Sequence, residues 1–314
     1  MMKELIQPIA PEVLMSELTP ERLLRKTNKA DNELYVVTAA QAPNVMKEIG
    51  RLREYTFRLA GAGTGKDCDV DRFDMEDPAC HQLLVWNPEA QEIIGGYRFT
   101  YGNMVSFYPN GQPNINSEHL FDFSEKFCKE YLPYTIEMAR AWVQPKYQSA
   151  QMGRKSLFAL DNLWDGIGAI VAKNPNIRYL AGKVSVYSTT PQLQRNAILY
   201  FLHKSFGDRE NLITGKWALE YTPEEVEFYE NLFTGATYQE NYKILNNFVK
   251  EKGEHIPPLI HSYIELSSSM KTFGSCFDAD FGDVYDTAMI ITVDDIYPAK
   301  KERYIGSYFK QQQA

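Results

Sequence analysis

Cysteine and histidine are both scarce. The four cysteines, at positions 68, 80, 128 and 276, lie far apart with no CxxC pair, and the five histidines (81, 119, 203, 255, 261) show no ligand spacing. A metal site and a disulfide framework are therefore not signalled, and a reducing compartment is the default. Long hydrophobic runs are missing too. Nothing approaches the roughly 18 apolar residues of a membrane span, and Glu4, Pro8 and Pro11 interrupt the N-terminal MMKELIQPIAPEVL. A cytoplasmic protein is expected, with membrane contact at most peripheral, at the inner membrane face. There is no excess of positive charge: 33 Lys and Arg stand against 41 Asp and Glu, a net −8, which argues against gripping a nucleic acid backbone. The patterns GxxxxGK[ST], GxSxG, HExxH and a strand-linked GxGxxG are all absent, so the commonest NTPase, hydrolase, zinc-protease and dinucleotide readings lose support.

What remains is a 314-residue chain, 44% apolar and 13% aromatic, able to bury a large core. Residues 1–32 mix prolines, charges and a short apolar run (Val13, Leu14, Leu18, Leu23, Leu24) and read as a helical lead-in. ELYVVT (33–38) reads as a strand. After Pro43, Val45, Ile49, Leu52 and Leu59 follow helical spacing. Residues 60–80 form a glycine-rich, then acid-rich loop, long enough to suggest function. HQLLVWN (81–87) and EIIGGYRFTY (92–101) read as a hairpin. A short helix near Ser124–Tyr131, a strand TIEMARAWV (135–143), a helix from about Gly153 to Val171, a strand Tyr179–Tyr187 and a helix after Pro191 follow. PEEVEFYENLF and YQENYKILNNFVK make a helical insertion at about 220–251; PPLIHSYIEL starts another helix, TAMIITV (287–293) is a last buried strand, and QQQA is a frayed tail. This order predicts an α/β (α+β type) protein, a central mixed sheet with helices on both faces. No linker suggests a cut, so residues 33–314 are expected to form one domain.

Three groups of residues could carry chemistry. Arg53 and Phe57, one helical turn apart, lead into Asp69, Asp71 and Asp74; composition alone favours an ordinary solvated acidic loop after a helix, and DVDRFDMED lacks the glycine and terminal glutamate of an EF-hand. Glu137 and Arg140 share a strand at an odd spacing, so acting together requires a bulge; the alternative is an ion pair at a sheet edge. Then VQPKYQSAQMGRKSLFAL (143–160) leaves a strand through proline and enters a helix with Arg154 and Lys155 in its first turn, suited to phosphate or to a plain turn.

Taken in order, LREYTFR, DVDRFD, HQLLVW with EIIGGYRF, EMARAWVQPKY, and the tail IPPLIHSYIELSSSMKTFGSCFDADFGDVYDTAMIITVDDI resemble the GNAT-like N-acyltransferases of ornithine-lipid and glycine-lipid synthesis, often labelled hemolysin-like and related to acyl-homoserine-lactone synthases. The resemblance covers about residues 35–309. It implies a GNAT-like acyl-CoA N-acyltransferase fold, a turn near FGS, and transfer of a (3-hydroxy)acyl chain from acyl carrier protein to the α-amine of a small amino acid, glycine favoured. The product would feed a separate O-acyltransferase. Catalytic roles are implied for Glu137, Arg140, Asp71 and Asp74, and substrate contacts for Arg53, Phe57, Arg98 and Trp142. The pantetheine-binding positions are Gln148, Gln151 and Gly153, with Arg154 and Lys155 beside them. Glutamine replaces the first glycine of that signature, which favours a carrier-protein phosphopantetheine over coenzyme A, the alternative donor. No permanently bound cofactor is implied. Lys146, Arg154 and Lys155 would dock the acidic carrier protein, Tyr187 is a candidate acid, and Phe99, Tyr101, Phe107, Tyr108 and Trp142 could line an acyl tunnel. Ornithine or serine as acceptor, a homoserine-lactone-type reaction, and a non-catalytic acyl- or carrier-binding protein remain alternatives. A membrane-active protein would need a basic or very apolar amphipathic segment, and none is present.

Overall fold

In the computed structural model, which describes residues 2–148 and 154–313, the chain opens on a short helix, α1 (Pro11–Glu17). Leu23 and Leu24, expected within a helical lead-in, belong instead to strand β1 (Leu23–Lys26), antiparallel to β2 (Glu33–Val37). Four residues are too few for periodicity to separate strand from helix, and pairing with β2 decides the matter. Helix α2 (Pro43–Leu59) buries Val45, Ile49, Leu52 and Phe57. Its N-cap, Ala42, offers no side-chain acceptor; Glu17 of α1 reaches across, its carboxylate accepting from Asn44 N at 2.9 Å and Val45 N at 2.8 Å. The acidic loop contains a single short helix, α3 (Arg72–Met75), and β3 (His81–Asn87) with β4 (Glu92–Tyr101) makes the expected hairpin.

Two compact units divide the chain, and residues 106–133 belong to the second, where β5 (Phe121–Phe123) lies. The first unit resumes with β6 (Thr135–Val143) and α4 (Arg154–Lys173). Its strands form an antiparallel sheet in the order β1-β2-β3-β4-β6. Opposed residues in such a ladder project to one face. Leu83 and Tyr97 therefore share the face that α4 covers, and Gly166 lets the helix in: a Cβ there would lie 2.7 Å from Leu83 Cδ1. Gln82, Arg98 and Ala139 share the opposite face, under α2 and the acidic loop. Helices on both faces of the sheet thus match the α/β expectation.

The second unit continues with β7 (Tyr179–Tyr187), α5 (Gln192–Phe206), β8 (Ile213–Gly215) paired with β5, α6 (Pro223–Leu232), α7 (Tyr238–Lys250) and α8 (Pro258–Ile264). Capping boxes, Thr222 with Glu225 and Thr237 with Glu240, start α6 and α7. Lys271–Asp278, where a turn near FGS was expected, is strand β9. It pairs with β10 (Val284–Thr292), which pairs with β7. Gly274, at φ +85, sits where the β9–β10 register shifts, so this glycine marks a bulge inside a strand. In the first unit, α9 (Pro298–Lys301) and α10 (Ser307–Gln312) carry helix into the segment expected to fray. No described helix is long and apolar enough to cross a membrane.

Candidate active site

Arg53 is fully buried on the inner face of α2, and both its Nη atoms donate to Asp74 Oδ1, at 3.2 and 3.1 Å. Its Nε lies 3.7 Å from Asp69 Oδ2. Asp74, also sealed from solvent, accepts further from Gln82 Nε2 (2.9 Å), Asp71 N (3.1 Å) and Arg98 Nη1 (3.3 Å). Asp71 is the N-cap of α3, accepting from Phe73 N at 2.9 Å, and takes Arg98 Nη1 at 2.7 Å. Arg140 Nε donates to Asp69 Oδ2 at 2.9 Å, and its Nη2 lies 3.8 Å from Asp71 Oδ2. Arg53, Arg98 and Arg140 thus balance Asp69, Asp71 and Asp74. An unbalanced charge here would be costly, because buried ions are tolerated only when paired and hydrogen-bonded.

The electrostatics follow from that balance. Burial alone would raise the Asp71 carboxyl, but the charge and hydrogen bond of Arg98, with Arg140 and Arg53 behind them, hold it at about 2. Burial alone would lower the Arg98 guanidinium, yet Asp74 and Asp71 push it upward. Burial pushes the Cys80 thiol up to about 12 and the Cys68 thiol to about 11, so neither offers a thiolate nucleophile. Within the six-residue cluster, only the Asp71 side chain, 22% exposed, and that of Arg140, 10%, reach the surface; the other four are at 0–1%.

Strand β6 carries a bulge, the condition set by the odd spacing for Glu137 and Arg140 to act together. Thr100 faces Glu137 and Arg98 faces Ala139, but Gly96 faces Trp142, so Arg140 and Ala141 together oppose one residue of β4. Arg140 adopts φ +49, left-handed backbone that a side chain larger than glycine rarely takes. That turn brings its guanidinium to Asp69 and Asp71, on the face where Glu137 is also placed. Glu137 is buried, and its charge, with those of Asp74 and Asp71, bears on Cys80.

The other expected positions fall as follows. Phe57 is buried one turn beyond Arg53, and Trp142 is buried against Gly96, where a Cβ would lie 3.3 Å from the indole Nε1. Gln148 is exposed and donates to Val143 O at 2.5 Å. Gln151 and Gly153 lie outside the described residues, as do the side chains of Arg154 and Lys155, whose backbone begins α4. Lys146 pairs with Glu92 at 2.6 Å. Tyr187 belongs to the second unit, its phenol raised by burial and then by Asp286.

Two of the buried polar residues that sequence reasoning did not single out bear on this region, Gln82 and Glu54. Gln82 stands on the site face of a strand otherwise apolar there, a signal that could have found it. Glu54 accepts from Thr64 N, Thr64 Oγ1, Gly65 N and Arg58 Nε at 2.8–3.0 Å. The glycine-rich loop therefore folds around the chain's own carboxylate, and those N–H groups are occupied, which excludes a phosphate cradle there.

The acetyltransferase (GNAT) domain family matches residues 52–156, a stretch that contains every member of the charge cluster. Over nearly its full length the chain is similar to the glycine N(alpha)-acyltransferase of Phocaeicola vulgatus, with 49% identity over 99% of this chain and 95% of the relative. It is also similar to that of Bacteroides thetaiotaomicron, with 47% identity over 98% and 91%. Among solved structures it is similar to FeeM, an N-acyl amino acid synthase from uncultured soil microbes, with 10% identity and a TM-score of 0.38 over 89% of this chain and 95% of that one, a likeness too weak to carry anything further. At such identity across almost every residue, the chain is an acyltransferase with a GNAT domain and belongs to the family of the glycine N(alpha)-acyltransferases.

Proposed function

We propose that the enzyme transfers a (3-hydroxy)acyl chain from the phosphopantetheine thioester of acyl carrier protein to the α-amine of glycine. The observation that carries this reading is the one pair that reaches the surface in an otherwise sealed charge cluster. Asp71 and Arg140 present opposite charges with Oδ2 and Nη2 3.8 Å apart, the arrangement a small zwitterion complements: its carboxylate on Arg140, its ammonium on Asp71. The names of the relatives agree with glycine as the acceptor.

The reaction needs a neutral amine. Glycine enters as the ammonium and gives one proton to Glu137, the general base. The nitrogen attacks the thioester carbonyl, and backbone N–H groups of the bulge at 140–141 face the oxyanion as it develops. Collapse breaks the C–S bond. Of the two protons the nitrogen loses, one leaves with the thiol and the other passes to solvent. Phe57 and Trp142 wall the site, and Arg53 and Arg98 act from behind by fixing the aspartates. Gln148, Gln151 and Gly153 hold the pantetheine arm, and Arg154 and Lys155 meet the acidic carrier protein with Lys146. The glutamine at the first glycine position of that signature supports the carrier protein over coenzyme A. A 3-hydroxyl on the chain leaves the product open to O-acylation by a separate enzyme of aminolipid synthesis, and the work takes place in the cytoplasm or at the inner membrane face.

The test incubates the protein with 3-hydroxypalmitoyl carrier protein, or the matching acyl-CoA, and glycine, serine, ornithine or no acceptor. Thiol release is followed and the amide identified by mass. Glycine-dependent release, faster with the carrier protein, is expected. No glycine-dependent release, or equal turnover of ornithine, would overturn the acceptor assignment.

A further inference from the structure

We infer that Gln82 is a positioning residue for the acceptor subsite, acting on Asp71 through Asp74; this rests on the reading of Asp71 as the ammonium partner. Gln82 lies on β3 directly opposite Arg98 and is 2% exposed. Its Nε2 donates to Asp74 Oδ1 at 2.9 Å. A guanidinium and a carboxylate left to themselves prefer a parallel fork, one nitrogen to each oxygen. Arg53 and Asp74 depart from it. Both Nη atoms are nearer Oδ1, at 3.2 and 3.1 Å, than Oδ2, at 3.4 Å each. The Gln82 amide on Oδ1 and the Asp71 backbone N–H on Oδ2 hold the carboxylate in this rotated setting, which keeps Oδ2 nearer to Asp71 N, at 3.1 Å, and Arg98 Nη1, at 3.3 Å, than to either Nη of Arg53.

Without the amide, Asp74 is released to turn into the fork with Arg53, withdrawing Oδ2 from the backbone of Asp71. The capping box that fixes Asp71 at the start of α3 then loses one of its two hydrogen bonds. Glutamine fills this position without disturbing the charge balance, whereas a carboxylate there would crowd Asp74, and two carboxylates at that distance do not both ionise.

Steady-state kinetics of the full chain test this, varying glycine at saturating donor and then donor at saturating glycine. Gln82→Met is expected to raise the glycine KM roughly tenfold, the loss of about one hydrogen bond, while the donor KM stays within about twofold. Gln82→Glu is expected to move the acid limb of the kcat/KM profile for glycine up by about one pH unit. A glycine KM within about twofold of wild type in folded Gln82→Met, or both KM values rising together, overturns the inference. If Gln82→Met does not fold, an unmoved acid limb in Gln82→Glu overturns it instead. Should the wild-type enzyme release no thiol with glycine, the acceptor assignment has failed, and the same KM comparison with the amine that is turned over decides the role of Gln82.

Discussion

Asp71→Asn separates the charge of Asp71 from its shape. Asparagine caps a helix as well as aspartate does, so the acceptor for Phe73 N at 2.9 Å is kept, while the cluster passes from three charges of each sign to a surplus of one positive charge. A carboxyl held at about 2 instead of 3.8 has its ionised form favoured by folding by about 2 kcal/mol, on the order of one factor of ten per pH unit. That stabilisation is complete above the ordinary aspartate range and is lost as pH falls from about 4 towards 2. Asp71→Asn should therefore melt roughly 5 °C below wild type at pH 7, and the two melting curves should converge as pH falls through that window. Glycine should feel the same change. Losing a charge-assisted contact to the ammonium costs about 1.5–3 kcal/mol, a rise in glycine KM of roughly 10- to 100-fold, with kcat at saturating glycine changed far less. Melting by circular dichroism across pH 3–7, beside thiol-release kinetics, reads both. A folded Asp71→Asn with wild-type glycine KM would refute the ammonium placement, and a melting difference that persists undiminished at pH 3 would refute the electrostatic account of the cluster.

Other substitutions probe the rest of the site. Glu137→Gln should lower kcat roughly 10²- to 10⁴-fold, the usual contribution of a general base, with donor binding by titration unchanged; a fully active variant would remove Glu137 from that role. Arg140→Gly keeps the left-handed backbone and should fold at least as well as Arg140→Ala, because glycine takes φ +49 without the cost of a Cβ; both should raise the glycine KM, and an Ala variant more stable than the Gly variant would contradict the strain. Glu17→Ala should cost about 1 kcal/mol in urea unfolding by uncapping α2 from a distance, with kinetic constants unchanged.

Long periodic elements were legible in the sequence because their signal is local. The stripe of α2, the hairpin β3–β4 and strand β7 each contain enough residues to fix their own period. β1 and β9 were not legible. The first is four residues long, and in the second Gly274 imitates a turn because a bulge and a turn ask the same freedom of the backbone. The site divides in the same way. The odd spacing of Glu137 and Arg140 made a bulge the condition for their acting together, since no regular strand brings the two to one face, and left a sheet-edge ion pair as the alternative. The pairing of arginine with aspartate was not announced. Arg53 joins Asp74 across 21 residues and Arg140 joins Asp69 across 71, and such partners are chosen by the sheet's register and by the path of a glycine-rich loop that Glu54 organises from within.

A site that acylates an amino acid must treat the same nitrogen in two ways, recognising it as an ammonium and then using it as an amine. One carboxylate cannot do both well. The arginines that make Asp71 a dependable anion also make it too weak a base to take the proton at neutral pH, since its carboxyl titrates at about 2. Asp69 and Asp74 are sealed and committed to guanidiniums. Among the carboxylates named on this face, Glu137 is therefore the one we propose as the base, carried by β6 and held apart from the acidic loop in sequence. On the proposed mechanism the bulge serves both demands, since it turns Arg140 towards Asp69 and Asp71 while the strand before it keeps its regular ladder through Glu137 and Ala139.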